Sequence, residues 1–140
     1  MQILETEMFQ LELSLTNYGQ DASEKETTIL NVRVFSDDFS AAASRAIHLN
    51  VFCAFAEDLK KLAQTGCGKA GMHASDTDSF IEFEGDGSGR IRISGKIAST
   101  GNSGFTQKLT FQNDFSRERL TGFADALYNG YCLEQKGTVR

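Results

Sequence analysis

Five side chains are best suited to nucleophilic or metal chemistry: Cys53, Cys67, Cys132, His48 and His73. A thiol with an imidazole in reach makes an activated nucleophile, and closely spaced Cys and His residues hold zinc. Neither histidine stands in a motif, and no C-x-x-C pair is present. Cys53 falls at helical spacing beside Phe52, where a small buried hydrophobe is the ordinary occupant. Three widely spaced cysteines suggest neither a disulfide framework nor a zinc site, so reduced thiols are expected. No catalytic residue, metal or cofactor is predicted from this set.

Two glycine-rich segments invite a phosphate or a metal. The first, AQTGCGKA at 63–70, has a Gly68-Lys69 pair, but Ala63 replaces the first glycine of a phosphate loop and Ala70 replaces the Ser or Thr that binds magnesium. It follows a helical pattern instead of opening one, and reads as a helix stop. The second, GDGSG at 85–89, is followed at once by Arg90 and Arg92, where a calcium loop needs further oxygen ligands. A strand pattern follows it where a dinucleotide site needs a helix N-terminus. It reads as a turn.

Carboxylates remain as candidates for binding. Asp76, Asp78, Glu82 and Glu84 alternate along HASDTDSFIEFE, which sets them on one face of an extended chain, and Asp37 and Asp38 stand together in the turn FSDDFS. These six residues are the predicted contact set for a basic protein partner. The whole chain, at 140 residues with 14 basic and 19 acidic side chains, carries a net charge of −5. That balance excludes nucleic acid as the expected partner, because phosphate neutralisation needs clustered Lys and Arg. No apolar run is long enough to span a bilayer, and the opening MQILETEMFQ lacks the pattern of a signal peptide, so a cytoplasmic protein is expected.

The elements that must position these residues are legible as periodicities. Phe9, Leu11, Leu13 and Leu15 alternate with polar residues, as do Leu30, Val32 and Val34, and each series predicts a half-buried strand. FSAAASRAIHL completes a hairpin. From Asn50, a plausible N-cap, Phe52, Phe55, Leu59 and Leu62 recur at three and four residues, and Gly66 is placed to end the helix. Strands return in MHAS, SFIEFE, RIRISGKI and GFTQKLTFQ, where Phe105, Leu109 and Phe111 are set on one face. A second helix carries Leu120, Phe123, Ala124 and Leu127 on one stripe. Around GDGSG, placing both apolar sets on one face pairs Phe83 with Ile91 and Ile81 with Ile93, so Glu84 meets Arg90 and Glu82 meets Arg92.

The predicted fold is α+β: a single antiparallel, meander-like sheet of about six or seven strands with two helices packed on one face. One domain over 1–140 is expected, with an ordered core of about 7–131 and a frayed tail, 132–140.

ILNVRVFSDDFSAAASRAIHLNVFCAFAEDLKKL and SFIEFEGDGSGRIRISGKI together resemble the WapI-type immunity proteins of bacterial contact-dependent toxin systems. Members show a similar L-N-V-R-V strand, a turn into F-S-x-x, a helix, and an E-x-x-G-D-G-x-G-x-I-x-x-x-G hairpin. The resemblance runs from about residue 9 to 128, and its motifs are structural. Ile29-Leu30 stands where the family has a W-L type opening, and AAASRAI at 41–47 is poorer in aromatics than the family pattern. The resemblance implies a non-enzymatic antidote that binds the toxic domain of a cognate polymorphic toxin stoichiometrically. From a different class, a small-molecule or peptide-binding module using the exposed sheet face is the alternative.

Overall fold

The structure, a computed structural model, describes residues 1–16, 28–73, 79–100 and 104–132. The chain opens with β1 (Gln2–Glu5), β2 (Phe9–Thr16), β3 (Ile29–Ser36) and β4 (Phe39–Ala46), an antiparallel sheet in that order. The alternation read from sequence sets its inner face, since Phe9, Leu11, Leu13 and Leu15 are buried with Leu30 and Val34. Leu13 faces Val32 and Val32 faces Ala43, so one register aligns the apolar rows of three strands. β1 lies ahead of the first strand read from sequence and adds buried Leu4.

Helix α1 (Leu49–Thr65) buries Leu49, Phe52, Phe55, Ala56, Leu59, Leu62 and Ala63. Its N-cap is His48, not Asn50, which is already helical. Gly66 ends it in the left-handed conformation, φ 75°, and donates its N–H to the Leu62 carbonyl at 2.7 Å. β5 (Cys67–His73) starts immediately and pairs in order with β6 (Phe80–Asp86), β7 (Arg90–Thr100) and β8 (Thr106–Ser116), all antiparallel. Helix α2 (Arg117–Tyr131) follows β8 directly and buries Leu120, Phe123, Ala124 and Leu127, the stripe its spacing predicts.

The strands therefore form two four-stranded sheets, where a single sheet of six or seven was expected. The reason lies in α1, which packs on β5 and carries the chain from one sheet to the other. Alternation tells which face of a strand is apolar, but not whether two strands share a ladder. The two apolar faces close on one core. β4 meets β7 and β8, α1 lies on β5, and α2 lies between α1 and β1. Phenylalanines join the parts: Phe9 and Phe111 across the sheets at 5.7 Å, Phe55 and Phe83 from helix to sheet at 6.1 Å, and Phe83 and Phe115 edge to face at 6.3 Å. Phe105, expected with Leu109 and Phe111 on the apolar face, is exposed just ahead of β8.

The expectation of reduced thiols is overturned as well. Cys53 in α1 and Cys132 at the end of α2 form a disulfide, with Cα atoms 5.6 Å apart and a separation of 79 positions in sequence. Each helical stripe can be read alone, but their adjacency arises only when the helices pack. Cys132 is 1 % exposed and belongs to the core. Closing a loop of that length removes roughly 4–5 kcal/mol of unfolded-state chain entropy in the loop-closure picture.

Candidate partner-binding surfaces

Asp76 and Asp78 lie outside the described residues. Glu82 and Glu84 project from the outer face of β6, the face away from Ile81 and Phe83. The pairing there differs by two residues from the one expected. Phe83 is opposite Ile93 and Gly85 opposite Ile91, so Glu84 meets Arg92 and Glu82 meets Ser94. The parity is kept, but Gly85 and Asp86 join the strand and shorten the turn to 87–89.

The result is a row of alternating charge across all four strands, in which Lys69, Glu84, Arg92 and Asp114 stand side by side. Lys69 Nζ is 3.9 Å from Glu84 Oε2, with both side chains half exposed or more. The guanidinium of Arg90 donates to Asp114 Oδ1 at 2.5 Å. Exposed pairs of this kind contribute roughly 0–1 kcal/mol each. Their larger effect is on the field of the face. Among the described residues Glu84 is flanked by cations on both neighbouring strands, Lys69 and Arg92.

GDGSG is a turn with a structural purpose. Gly87 and Gly89 take positive φ, 89° and 92°, and the Ser88 N–H donates to Asp86 Oδ1 at 3.0 Å. The Ser88 hydroxyl, then its backbone N–H, hold the Asp86 carboxyl below its ordinary pKa of 3.8. The turn is also tied to both helices: Gly87 N–H donates to the Gly66 carbonyl at 2.9 Å, and Arg117 N–H donates to the Gly89 carbonyl at 3.0 Å. Among the described residues no group of three or more His, Cys, Asp or Glu is placed to hold a metal.

The remaining free thiol is Cys67, exposed at the start of β5. His73 ends the same strand and stacks on Phe80 at 5.6 Å, which places it about 20 Å from Cys67 at the rise of an extended chain. His48 stands at the far end of the 17-residue helix α1, about 25 Å away. Neither imidazole reaches the thiol, so no nucleophile and base are brought together there.

Asp37 and Asp38 occupy the two-residue turn between β3 and β4, with Asp37 at φ 55°. The Asp37 N–H donates to the Met8 carbonyl at 2.9 Å, which joins the turn to the β1–β2 connection. Asn113 Nδ2 donates to Ser36 Oγ at 2.9 Å and fixes the hairpin against β8. Around the two acids stand the apolar side chains of Phe39, Met8 and Phe35, which are 66 %, 60 % and 39 % exposed. Ser36 faces Phe39 and Phe35 faces Ser40 across the ladder, so the two rings project from opposite faces of the hairpin. These apolar residues were missed in the sequence, although Phe35 gives a signal: it stands out of phase with Leu30, Val32 and Val34.

The acidic residues thus fall on separate surfaces, Asp37 and Asp38 at a hairpin tip of the first sheet and Glu82 and Glu84 on the outer face of the second. No helix is long and apolar enough to cross a membrane among the described residues. The chain matches no family model, no curated protein and no solved structure.

Proposed function

We propose that this chain is a non-catalytic binding protein that neutralises a basic protein partner, and that the β3–β4 hairpin tip makes the contact. One observation carries the reading: Met8, Phe35 and Phe39 are exposed around Asp37 and Asp38. Exposed aromatics in a polar rim are the usual anchors of protein interfaces, where they are buried at the centre and supply most of the affinity. Carboxylates beside them select a cationic partner and speed the encounter, in agreement with the net charge of −5. The hairpin can act as a preorganised wedge because Asn113 and the Met8 carbonyl hold Ser36 and Asp37 at its tip.

The resemblance to WapI-type immunity proteins supplies the biological form of this proposal, a stoichiometric antidote to a toxic domain. The cytosolic setting expected from sequence stands against the Cys53–Cys132 bridge, which persists in oxidising surroundings. Counting free thiols on protein taken from its native cells decides between the two settings. The test of function is co-expression with the protein encoded beside this one. A toxic neighbour, a one-to-one complex and protection are expected. A harmless neighbour, or a toxic one that neither binds nor is blocked, overturns the proposal.

A further inference from the structure

The two halves of the Cys53–Cys132 bridge differ in access. Cys53 is half-buried at the margin of the core, whereas Cys132 is 1 % exposed. Cys132 is also the residue that closes α2, since its backbone N–H donates to the Tyr128 carbonyl at 2.8 Å. The covalent tie therefore falls on the final turn of that helix.

This turn has little helical support of its own. Asn129 and Gly130 are exposed within it, and both are poor helix formers, glycine the poorer. Cys132 caps it in the right-handed conformation, not in the left-handed one that ends α1 at Gly66, and no basic side chain stands in the last turn to balance the dipole. Contacts with α1 hold it instead. The Tyr131 ring meets Phe52 edge to face at 5.8 Å, Lys60 Nζ lies 4.4 Å from the centre of the Tyr128 ring, and the bridge runs to Cys53. The opposite end of α2 is secured separately: the Arg117 N–H donates to the Gly89 carbonyl and Arg119 Nη1 to the Glu5 carbonyl, both at 3.0 Å.

From this division we infer that the bridge is a thiol–disulfide exchange site, entered at Cys53, and that its reduction releases the last turn of α2 while the rest of the fold stays closed. The reductant is a dithiol. One of its thiolates attacks Cys53 Sγ, the bond to Cys132 breaks, and the Cys132 sulfur leaves with the electron pair and takes up a proton. The second thiol then attacks the sulfur of the reductant that is bound to Cys53, which frees Cys53 as a thiol. Two electrons and two protons pass to the protein, and the dithiol ends as a disulfide. The site uses none of the hairpin-tip residues, so it stands or falls independently of the proposed protein partner.

Hydrogen exchange read by mass spectrometry, on the full chain before and after dithiothreitol, tests the release. Exchange over 128–132 is expected to quicken at least about tenfold on reduction, with β2, β3 and β7 unchanged. Gly130→Ala should slow it again by about fivefold in the reduced protein, because alanine favours the helix. The added β-carbon makes only an ordinary contact with Gln2 Nε2, at 3.5 Å. Cys53→Ala with Cys132→Ala should reproduce the reduced pattern without reductant. Reduced glutathione added to the bridged protein, quenched early by acid and mapped by peptide, should be found first on Cys53. Unchanged exchange over 128–132, a rise spread evenly over the core, no recovery with Gly130→Ala, or first attachment at Cys132 would each overturn the inference.

Discussion

Gly85 passes so close beneath Gly66 that a β-carbon on Gly85 would stand 2.4 Å from the Gly66 carbonyl oxygen. The C-cap of α1 and the β6–β7 hairpin are thereby pressed together, and the Gly87 N–H closes the junction on the same oxygen. Gly85→Ala cannot be accommodated by a side-chain shift, because the obstacle is backbone. It should lower stability by about 1–3 kcal/mol in urea denaturation, the ordinary cost of overpacking. Gly122→Ala is the opposite case. A β-carbon there meets nothing within 4 Å, and the position lies inside α2, so a gain of roughly 0.5–1 kcal/mol is expected.

The disulfide predicts a thiol count. Native protein prepared without reductant should react with an alkylating reagent at one cysteine, Cys67, and at three after reduction in denaturant. Replacing Cys53 and Cys132 together by serine should cost about 2–5 kcal/mol and lower the melting temperature. Three thiols reacting at once in the native protein would show that the helices are not bridged.

Asp86 gives a prediction in pH. Its pKa is depressed in the folded state by the Ser88 hydroxyl and N–H, so its contribution to stability is present above the unfolded pKa and is lost as the pH falls through the folded one. Asp86→Asn should therefore flatten the fall in stability on acidification below about pH 4, with little change in slope at neutral pH. Parallel acid limbs for the two proteins would assign that fall to other carboxylates.

Much of this fold is legible in the sequence because it is local. Strict alternation in β2 and β3, the apolar stripes of both helices, and Gly66 as a left-handed stop each follow from a few neighbouring residues. The division into two sheets is not local, since it depends on where α1 delivers the chain. The pairing of Cys53 with Cys132 depends likewise on helices meeting across 79 residues. At the β6–β7 hairpin the parity was readable and the register was not. Two registers of equal parity keep Phe83 among isoleucines, and the choice between them is made by Gly85, which can run beside Gly66 only because it lacks a side chain. The candidate surface was half legible: the acids of the β3–β4 turn stand out, but the exposure of Phe39, the first residue of β4 after the turn, depends on how the two sheets meet.

The row of alternating charge separates the two acidic surfaces by experiment. Glu84→Lys places a third cation in line with Lys69 and Arg92, and should cost roughly 0.5–1 kcal/mol of stability while leaving association with a basic partner unaltered. Asp37→Lys with Asp38→Lys should do the reverse, slowing association at low salt, with a small fall in melting temperature because lysine is less suited than aspartate to the left-handed backbone at position 37. Stopped-flow mixing over a salt series checks both.

The most direct measurement is the affinity of the Phe35→Ser, Phe39→Ser variant for the toxic domain it is proposed to block, set beside that of the unaltered protein by calorimetry. The account predicts a one-to-one complex with the unaltered protein and a loss of at least a hundredfold in the variant, about 2.7 kcal/mol, at an unchanged fold by circular dichroism. A folded variant that binds as tightly as the unaltered protein would contradict it, because the hairpin tip would then lie outside the interface.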